Sequence, residues 1–256
     1  MPTSRRVSIP LLAVLFVVMT ALLLVVVYLL GGSPLGRERG VAYAHADAPA
    51  DGESLPISVV VIDAGHGGED GGASSASGVV EKDVNLSVAF ALRDLFEAAG
   101  MPVVMTRTED ILLYDRGVNY QGRKKILDLA ARQLIAEKVA AVAAEGGGSS
   151  LFISIHMNAF PAPQYSGMQV WYGVGDPASK EVADAIQAAS QFLMPNNRRK
   201  TKAAGSNIYL LDHIKSPAVL VECGFLSNPE EAEKLSAEAY QYALAAVIFA
   251  GVVGET

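Results

Sequence analysis

Cysteine is nearly absent: Cys223 is the only one in 256 residues. A lone thiol excludes an intramolecular disulfide framework and any zinc site built on several cysteines. Positive charge is also scarce, with 20 Lys and Arg against 27 Asp and Glu and a formal net charge of −7. Nucleic-acid binding needs a basic patch or stripe, and the chain has none of useful length. Its one basic cluster, Arg198-Arg199-Lys200 with Lys202, is short and reads as a solvated loop. Nucleotide fingerprints fail too. In the Gly-rich stretch from Gly65 to Gly72, Asp70 stands where G-x-G-x-x-G needs its third small residue, and no G-K-[ST] is present. The contiguous metalloprotease pattern H-E-x-x-H is missing, because Gly67 follows His66 and Met157 follows His156.

What is present begins with a long apolar run from Ile9 to Leu30, preceded by Arg5 and Arg6. Such a run matches the roughly 20 residues needed to span a hydrocarbon core. The arginines place residues 1–8 on the cytoplasmic side and everything after Leu30 outside the cytoplasmic membrane. A cleaved signal peptide is the rival reading, with Ala42-Tyr43-Ala44 and Ala44-His45-Ala46 as cleavage-like sites, and would give a secreted form. Signal cores usually run about 7–15 residues, so residues 9–30 are read as an uncleaved single-pass anchor. Residues 31–56 lack periodicity and read as a flexible tether. Residues 57–256 suffice for one domain with a full core, and without Arg5 and Arg6 the exported part carries a charge of about −9.

Strand and helix patterns alternate through that domain. Ile57–Asp63 reads as a strand, and a Gly/Ser loop leads to a helix from about Glu81 to Ala98 with Val84, Val88, Leu92 and Leu95 at helical spacing. A strand at Met101–Thr106, a charged loop from Arg107 and a helix near Lys124–Ala144 follow. Next come a strand ending at His156, a strand at Met168–Tyr172 and a helix from Asp176-Pro177 to Leu193. Ile208–Leu211 and Ala218–Glu222 read as two short strands, and Asn228-Pro229 caps a last helix over Glu230–Ala250. The order implies an α/β domain with a mostly parallel or mixed sheet covered on both faces.

Two histidines close buried-strand patterns: Val59-Val60-Val61-Ile62-Asp63 leads to His66, and Leu151-Phe152-Ile153-Ser154-Ile155 ends on His156. Ligands of open α/β sheets bind outside the carboxyl ends of strands, so two imidazoles there suggest a metal site or an acid/base pair. Glu81 opens the first helix, where a carboxylate also suits the helix dipole. With His66 and His156 it completes two histidines and one glutamate, a known catalytic zinc set with one position left open. Glu222 ends the apolar run Ala218-Val219-Leu220-Val221 and is the candidate general base and acid. Cys223 reads as a buried core residue rather than a nucleophile. His45 and His213 read as solvated.

Several segments carry a family resemblance. Asp63-Ala64-Gly65-His66-Gly67-Gly68, Glu81-Lys82-Asp83-Val84-Asn85-Leu86, Thr106-Arg107, Ser154-Ile155-His156-Met157-Asn158-Ala159 and Val221-Glu222-Cys223-Gly224-Phe225-Leu226-Ser227-Asn228 occur in order. Together they resemble the zinc-dependent N-acetylmuramoyl-L-alanine amidases of bacterial peptidoglycan, the amidase_3 type, over nearly all of residues 57–250. The resemblance implies one Zn2+ held by His66, Glu81 and His156, with Glu222 as the catalytic glutamate. It also implies a twisted sheet of about six strands flanked by helices, and hydrolysis of the amide between N-acetylmuramic acid and L-alanine of the stem peptide. Arg107 and Asn158 match motif positions expected to orient the substrate or support the ligands. Ser166-Gly167-Met168-Gln169, Arg199-Lys200-Thr201-Lys202 and Ile208-Tyr209-Leu210 are similar to the CwlD-type spore-cortex branch, which implies muramic-lactam formation and germination. One departure stands in the second helix: Leu129 and Arg132 match the family's Leu-x-x-Arg, but Ala136-Glu137 replaces its Ala-Asn. The expected partners are peptidoglycan strands and the membrane, with no nucleic acid, and an activating protein is left open. The alternatives are a vegetative wall amidase, a zinc peptidase cutting within the stem peptide, and a peptidoglycan-binding protein without turnover.

Overall fold

Aliphatic runs bounded by glycine and proline form the strands, and the computed structural model describes them within residues 56–114 and 122–254. The expected amino-terminal segment 1–8, the anchor 9–30 and the tether 31–56 apart from Pro56 lie outside the described residues. In chain order the elements are β1 (Ile57–Ala64), α1 (Glu81–Ala98), β2 (Val103–Met105), α2 (Lys124–Glu145), β3 (Ser149–Asn158) and β4 (Gln169–Tyr172). They continue with α3 (Ala178–Leu193), β5 (Lys202–Ala203), α4 (Tyr209–His213), β6 (Ala218–Phe225), α5 (Pro229–Leu235) and α6 (Glu238–Val253). One six-stranded sheet runs in the order β2-β1-β3-β6-β4-β5. β2, β1, β3 and β6 are parallel neighbours, β4 runs antiparallel to β6, and β5 is parallel to β4. The sheet is therefore mixed, as the alternating pattern allows.

Side chains alternate between the two faces of each strand, and the core divides accordingly. Val60, Ile62, Ile153, Ile155, Val219 and Val221 pack under α1, α3 and α6. Val61, Phe152, Ala218 and Leu220 point the other way, towards Ala136 of α2 and Leu210 and Leu211 of α4. The spacing that marks α1 is largely the one it buries: Val84, Val88 and Leu92 are core residues, while Leu95 is only partly buried and its neighbour Phe96 takes the core position. The chain then turns at Gly100 with φ +81°, a conformation that suits a residue without Cβ.

Three elements differ from the sequence reading. Ile208–Leu211 is not a strand; its residues enter the short helix α4, where Ile214 N donates to Leu210 O over 2.9 Å. A helical turn buries Leu210, Leu211 and Ile214 together, whereas strand alternation would send adjacent leucines to opposite faces. The last helix is two helices bent by 87°. Asn228 caps α5 by accepting from the Glu230 and Glu231 amides, and Gln241 Nε2 takes the Leu235 carbonyl at 2.8 Å where α5 ends. The bend lays apolar α6 across α1 and α3. β5 is a two-residue edge strand, too short for any periodic pattern to mark. Among the described residues no single helix is long and apolar enough to cross a membrane. The bent pair α5 and α6 passes on length and composition alone, but Leu244, Ala245, Ile248 and Val252 of α6 belong to the core.

Gly251 lets α6 approach α3 closely, since a Cβ there would stand 2.5 Å from Ile186 Cα and 2.8 Å from Ile186 N. Gly251→Ala is expected to push these helices apart and cost about 1–3 kcal/mol, as overpacking does. Urea denaturation of the two proteins measures the difference. An unchanged midpoint would show that the helices have room to spare.

Candidate active site

The end of β1 is clamped from three sides. Asp63 is fully buried, and its carboxylate accepts from Arg132 Nη1 (2.7 Å), Thr106 Oγ1 (2.7 Å) and Ser154 Oγ (2.6 Å). Burial pushes Asp63 upward, but the Arg132 charge and the two hydroxyls outweigh it and hold the carboxyl below its ordinary value. Arg132, only 1% exposed, also donates to Ala64 O and His66 O and pairs with Asp128 on its own helix at 2.7 Å. Arg107 donates to Ala64 O, Gly65 O, Lys82 O and Glu109 O. Asn85 of α1 adds a bond to Gly65 O at 3.1 Å. These bonds fix a turn in which His66 adopts φ +61°, a left-handed conformation uncommon for a residue with a side chain.

That turn delivers His66 to the carboxyl edge of the sheet, where Glu81 and His156 meet it. Glu81 Oε1 lies 3.3 Å from His66 Nε2 and 3.0 Å from His156 Nδ1, and the three donor atoms all lie within 4.8 Å of one another. Zinc bonds of about 2.1 Å set tetrahedral ligand edges near 3.4 Å, so this donor set fits one divalent ion. Glu81 is held on its other sides by Met157 N to Oε1 and Ala73 N to Oε2. Burial pushes its carboxyl up, but the two histidines prevail and hold it well below the usual range. His66 Nδ1 stands 3.0 Å from Asp70 Oδ2, a carboxylate on the far side of the ring of the kind that orients metal-binding imidazoles. Two glycines make room. A Cβ on Gly65 would sit 2.2 Å from His156 Nε2, and one on Gly72 2.5 Å from Glu81 Oε2.

Glu222 joins this cluster through strand register. His156 pairs with Glu222 across β3 and β6, and Glu222 pairs with Gln169 across β6 and β4. The three form one file on the face that carries α2 and α4. Glu222 Oε2 is buried and has no hydrogen-bond partner among the described residues. Its carboxyl is pushed up to about 7, chiefly by burial; the His156 and His66 charges pull it down and Glu81 pushes it up. A carboxyl in that range suits both uptake and return of a proton near neutral pH.

The structure gathers His66, Glu81, His156 and Glu222 and sets Arg107 and Asn158 apart in kind. Arg107 is buried and binds four backbone carbonyls, tying the His66 turn to the first residues of α1. Asn158 closes β3, its carbonyl accepting from Leu226 N. Its side-chain amide has no partner among the described residues. Cys223 is fully buried, donates to Val221 O and has its thiol pushed far up by burial, which leaves no nucleophile. His213, expected to be solvated, stacks on Tyr209 at 4.0 Å with Nδ1 against Tyr209 O. The basic cluster is also not simply solvated: Arg199 lies over the Phe225 ring at 4.3 Å and donates to Ser166 O and Gln169 Oε1. Asp63, Asp70, Asp128 and Gln169 were given no role from the sequence: Asp63 and Gln169 find their partners on other elements, Asp70 lies in an irregular loop, and Asp128 carried only the i,i+4 spacing to Arg132 that any surface pair shows.

Asp63→Asn is expected to cost about 1–3 kcal/mol at neutral pH, because buried Arg132 loses one of its two carboxylate partners and keeps Asp128. Because the folded Asp63 titrates below its ordinary 3.8, its stabilisation is complete above that pH and is lost as pH falls through the lower folded value. Urea curves at several pH values should show the gap between variant and parent narrowing in acid; a constant gap would acquit the carboxylate. Gly65→Ala should weaken metal affinity about 10-fold or more by displacing His156, as loss of ligand support does. Competition with a chromogenic chelator reads this directly.

Comparison with known proteins agrees with this geometry. The chain is 38% identical over 202 residues to the germination-specific N-acetylmuramoyl-L-alanine amidase of Bacillus subtilis (strain 168), covering 78% of this chain and 81% of that protein. Its fold matches the CwlD amidase of Clostridioides difficile, solved in complex with the GerS lipoprotein, with TM-score 0.69 and 35% identity over 77% of this chain and 97% of that one. The catalytic domain of CwlV, an N-acetylmuramoyl-L-alanine amidase from Bacillus (Paenibacillus) polymyxa var. colistinus, aligns with TM-score 0.63 and 28% identity over 78% and 98% of the two chains. The Amidase_3 family profile, described as N-acetylmuramoyl-L-alanine amidase, spans residues 60–253, and the chain belongs to that family.

Proposed function

We propose that this amidase works with one Zn2+ held by His66 Nε2, Glu81 Oε1 and His156 Nδ1, with Glu222 as its catalytic base and acid. The observation that carries the reading is the convergence of those three donors within 4.8 Å beside Glu222, whose buried Oε2 has no hydrogen-bond partner among the described residues. A zinc ion bound there supplies a Lewis acid for the scissile carbonyl and makes water more acidic. The protein's own residues do the rest. Glu222 takes a proton from the attacking water as the new carbon–oxygen bond forms. It then returns the proton to the amide nitrogen as the carbon–nitrogen bond breaks, leaving a lactyl carboxylate and an L-alanyl amine. The Asp63–Arg132 pair and Arg107 hold His66 in place throughout, so the site needs no reorganisation between steps.

The cellular setting is part of the same proposal. The apolar run at 9–30 anchors the chain in the cytoplasmic membrane with the catalytic domain outside, and the tether at 31–56 limits its reach to nearby wall material. Likeness to a germination-specific amidase and to a CwlD amidase supports work on spore-cortex peptidoglycan. The second of these was solved with a lipoprotein, which supports a protein partner here as well.

Glu222→Gln should lower turnover of purified peptidoglycan by about 10²–10⁴-fold while zinc content stays at one per chain. Release of stem peptides with free L-alanine amino termini, analysed by mass spectrometry, reads the activity, and a chelator should abolish it in the parent. Cuts within the stem peptide would replace the amidase reading with a peptidase one. Substantial activity in Glu222→Gln would remove Glu222 from its role.

A further inference from the structure

One file of side chains crosses the sheet beyond the residues that perform the reaction. It runs from His156 through Glu222 to Gln169, and Gln169 hands it on to the segment before β5. Gln169 is 4% exposed; its Nε2 donates to Lys200 O at 2.9 Å and its Oε1 accepts from Arg199 Nη1 at 3.3 Å. Arg199 is thereby fixed on four sides. Its Nε donates to Ser166 O at 2.8 Å, its guanidinium carbon lies 4.3 Å from the centre of the Phe225 ring, and it lies 5.9 Å from that of Tyr165. Phe225 stands three residues after Glu222 on the same strand, so the guanidinium is tied to the catalytic carboxylate through both β4 and β6. Nη2 has no partner among the described residues.

Beside this arginine opens a groove of about 870 Å³, lined by Tyr165, Arg198, Arg199, Glu230, Glu231 and Lys234 among others. Its two carboxylates are outnumbered by Arg198, Arg199 and Lys234. Glu231 is occupied in accepting from Gly167 N and Phe225 N, and Glu230 sits at the exposed start of α5. A planar guanidinium stacked on an aromatic ring with one edge open is built to grip a carboxylate, and stacking leaves it little rotamer freedom to lose on binding. Peptidoglycan stem peptides supply such an anion close to the scissile amide. The residue after L-alanine is a γ-linked glutamate whose α-carboxylate is free unless amidated, and one to two residues of extended chain span about 3–7 Å.

We propose that Arg199, held at the end of the His156–Glu222–Gln169 file, binds the free carboxylate of the second stem-peptide residue and makes the enzyme discriminate against amidated stems. The inference rests on the amidase reading above and adds the feature of the substrate that is recognised. It gives the basic cluster a role in the leaving-peptide half of the site rather than in solubility. Arg199 touches the substrate without touching the reacting bond, so its effect falls on KM more than on kcat.

The test compares two soluble muramoyl tripeptides that differ only in D-glutamate or D-isoglutamine at the second position, using the full zinc-loaded chain. The parent should cleave the carboxylate form with kcat/KM about 10-fold or more higher, the size of one charge-assisted contact. Arg199→Gln should bring the two substrates to within about 2-fold, through a rise in KM for the carboxylate form alone. Zinc content and the melting temperature monitor folding. Should Arg199→Gln not fold, Arg199→Lys keeps the charge and should show an intermediate ratio. Equal losses on both substrates would mean that Arg199 only braces its loop, and a parent that cleaves both equally well would also overturn the assignment. A parent inactive on both would overturn the amidase reading itself.

Discussion

The buried ion pair between Asp63 and Arg132 is the constraint on which the rest of the site depends. Neither partner meets water, and each is fully engaged by hydrogen bonds in addition to the charge. Such pairs add little net stability over an apolar replacement, yet a broken one is costly. What this pair supplies is geometry. It joins α2 to the end of β1 and, through the same guanidinium, to the carbonyl of His66. A histidine with φ +61° persists only where its surroundings over-determine it, and here two arginines and an asparagine do so. The orientation of His66 is thus set by buried residues behind the turn that carries it.

The two faces of the sheet divide the labour. One carries the thick aliphatic core with α1, α3 and α6, where close packing extends to backbone contact at Gly251. The other carries a thinner core with α2 and α4, and there the polar file of His156, Glu222 and Gln169 replaces apolar side chains. Strand alternation makes this possible without a break in the sheet, because Ile155, Val221 and Val170 still fill the opposite core. The cost of burying Glu222 in this layer appears as its elevated pKa, which is also what fits it for proton transfer.

Much of this was legible in the sequence, for definite reasons. His66, Glu81, His156 and Glu222 stand at the ends of strands or at the start of a helix, so an element reading places them on one edge before any contact is known. A mostly parallel or mixed sheet followed from alternation of elements, and the main helices from spacing such as Val84, Val88 and Leu92; the antiparallel β4 was not marked. What escaped depends on tertiary contact. α4 is too short for a periodicity to show, and its adjacent leucines mimic a buried strand. The break at Ser236–Ala237 has no proline or glycine to announce it, being set by the Gln241 cap and the packing of Leu235. Asp63 looked like the polar end of a strand, and only the approach of Arg132, sixty-nine residues later, gives it meaning. In the basic cluster Arg198, Lys200 and Lys202 are exposed as the sequence suggests, and only Arg199 departs, because Phe225 and Gln169, which hold it, arrive from distant strands.

The donor atoms at the edge of the sheet come from three separate stretches, with Glu81 and His156 seventy-five residues apart. An ion shared among them is therefore also a crosslink, closing large loops much as a disulfide would. A chain with one cysteine has no intramolecular disulfide to rely on. Saturation with such an ion at a thousand times its dissociation constant would add about 4 kcal/mol to the folded state. With the ion of the proposed site in place, endurance of the fold would follow the local supply of free metal, and scarcity would shorten the life of the protein as well as silence it.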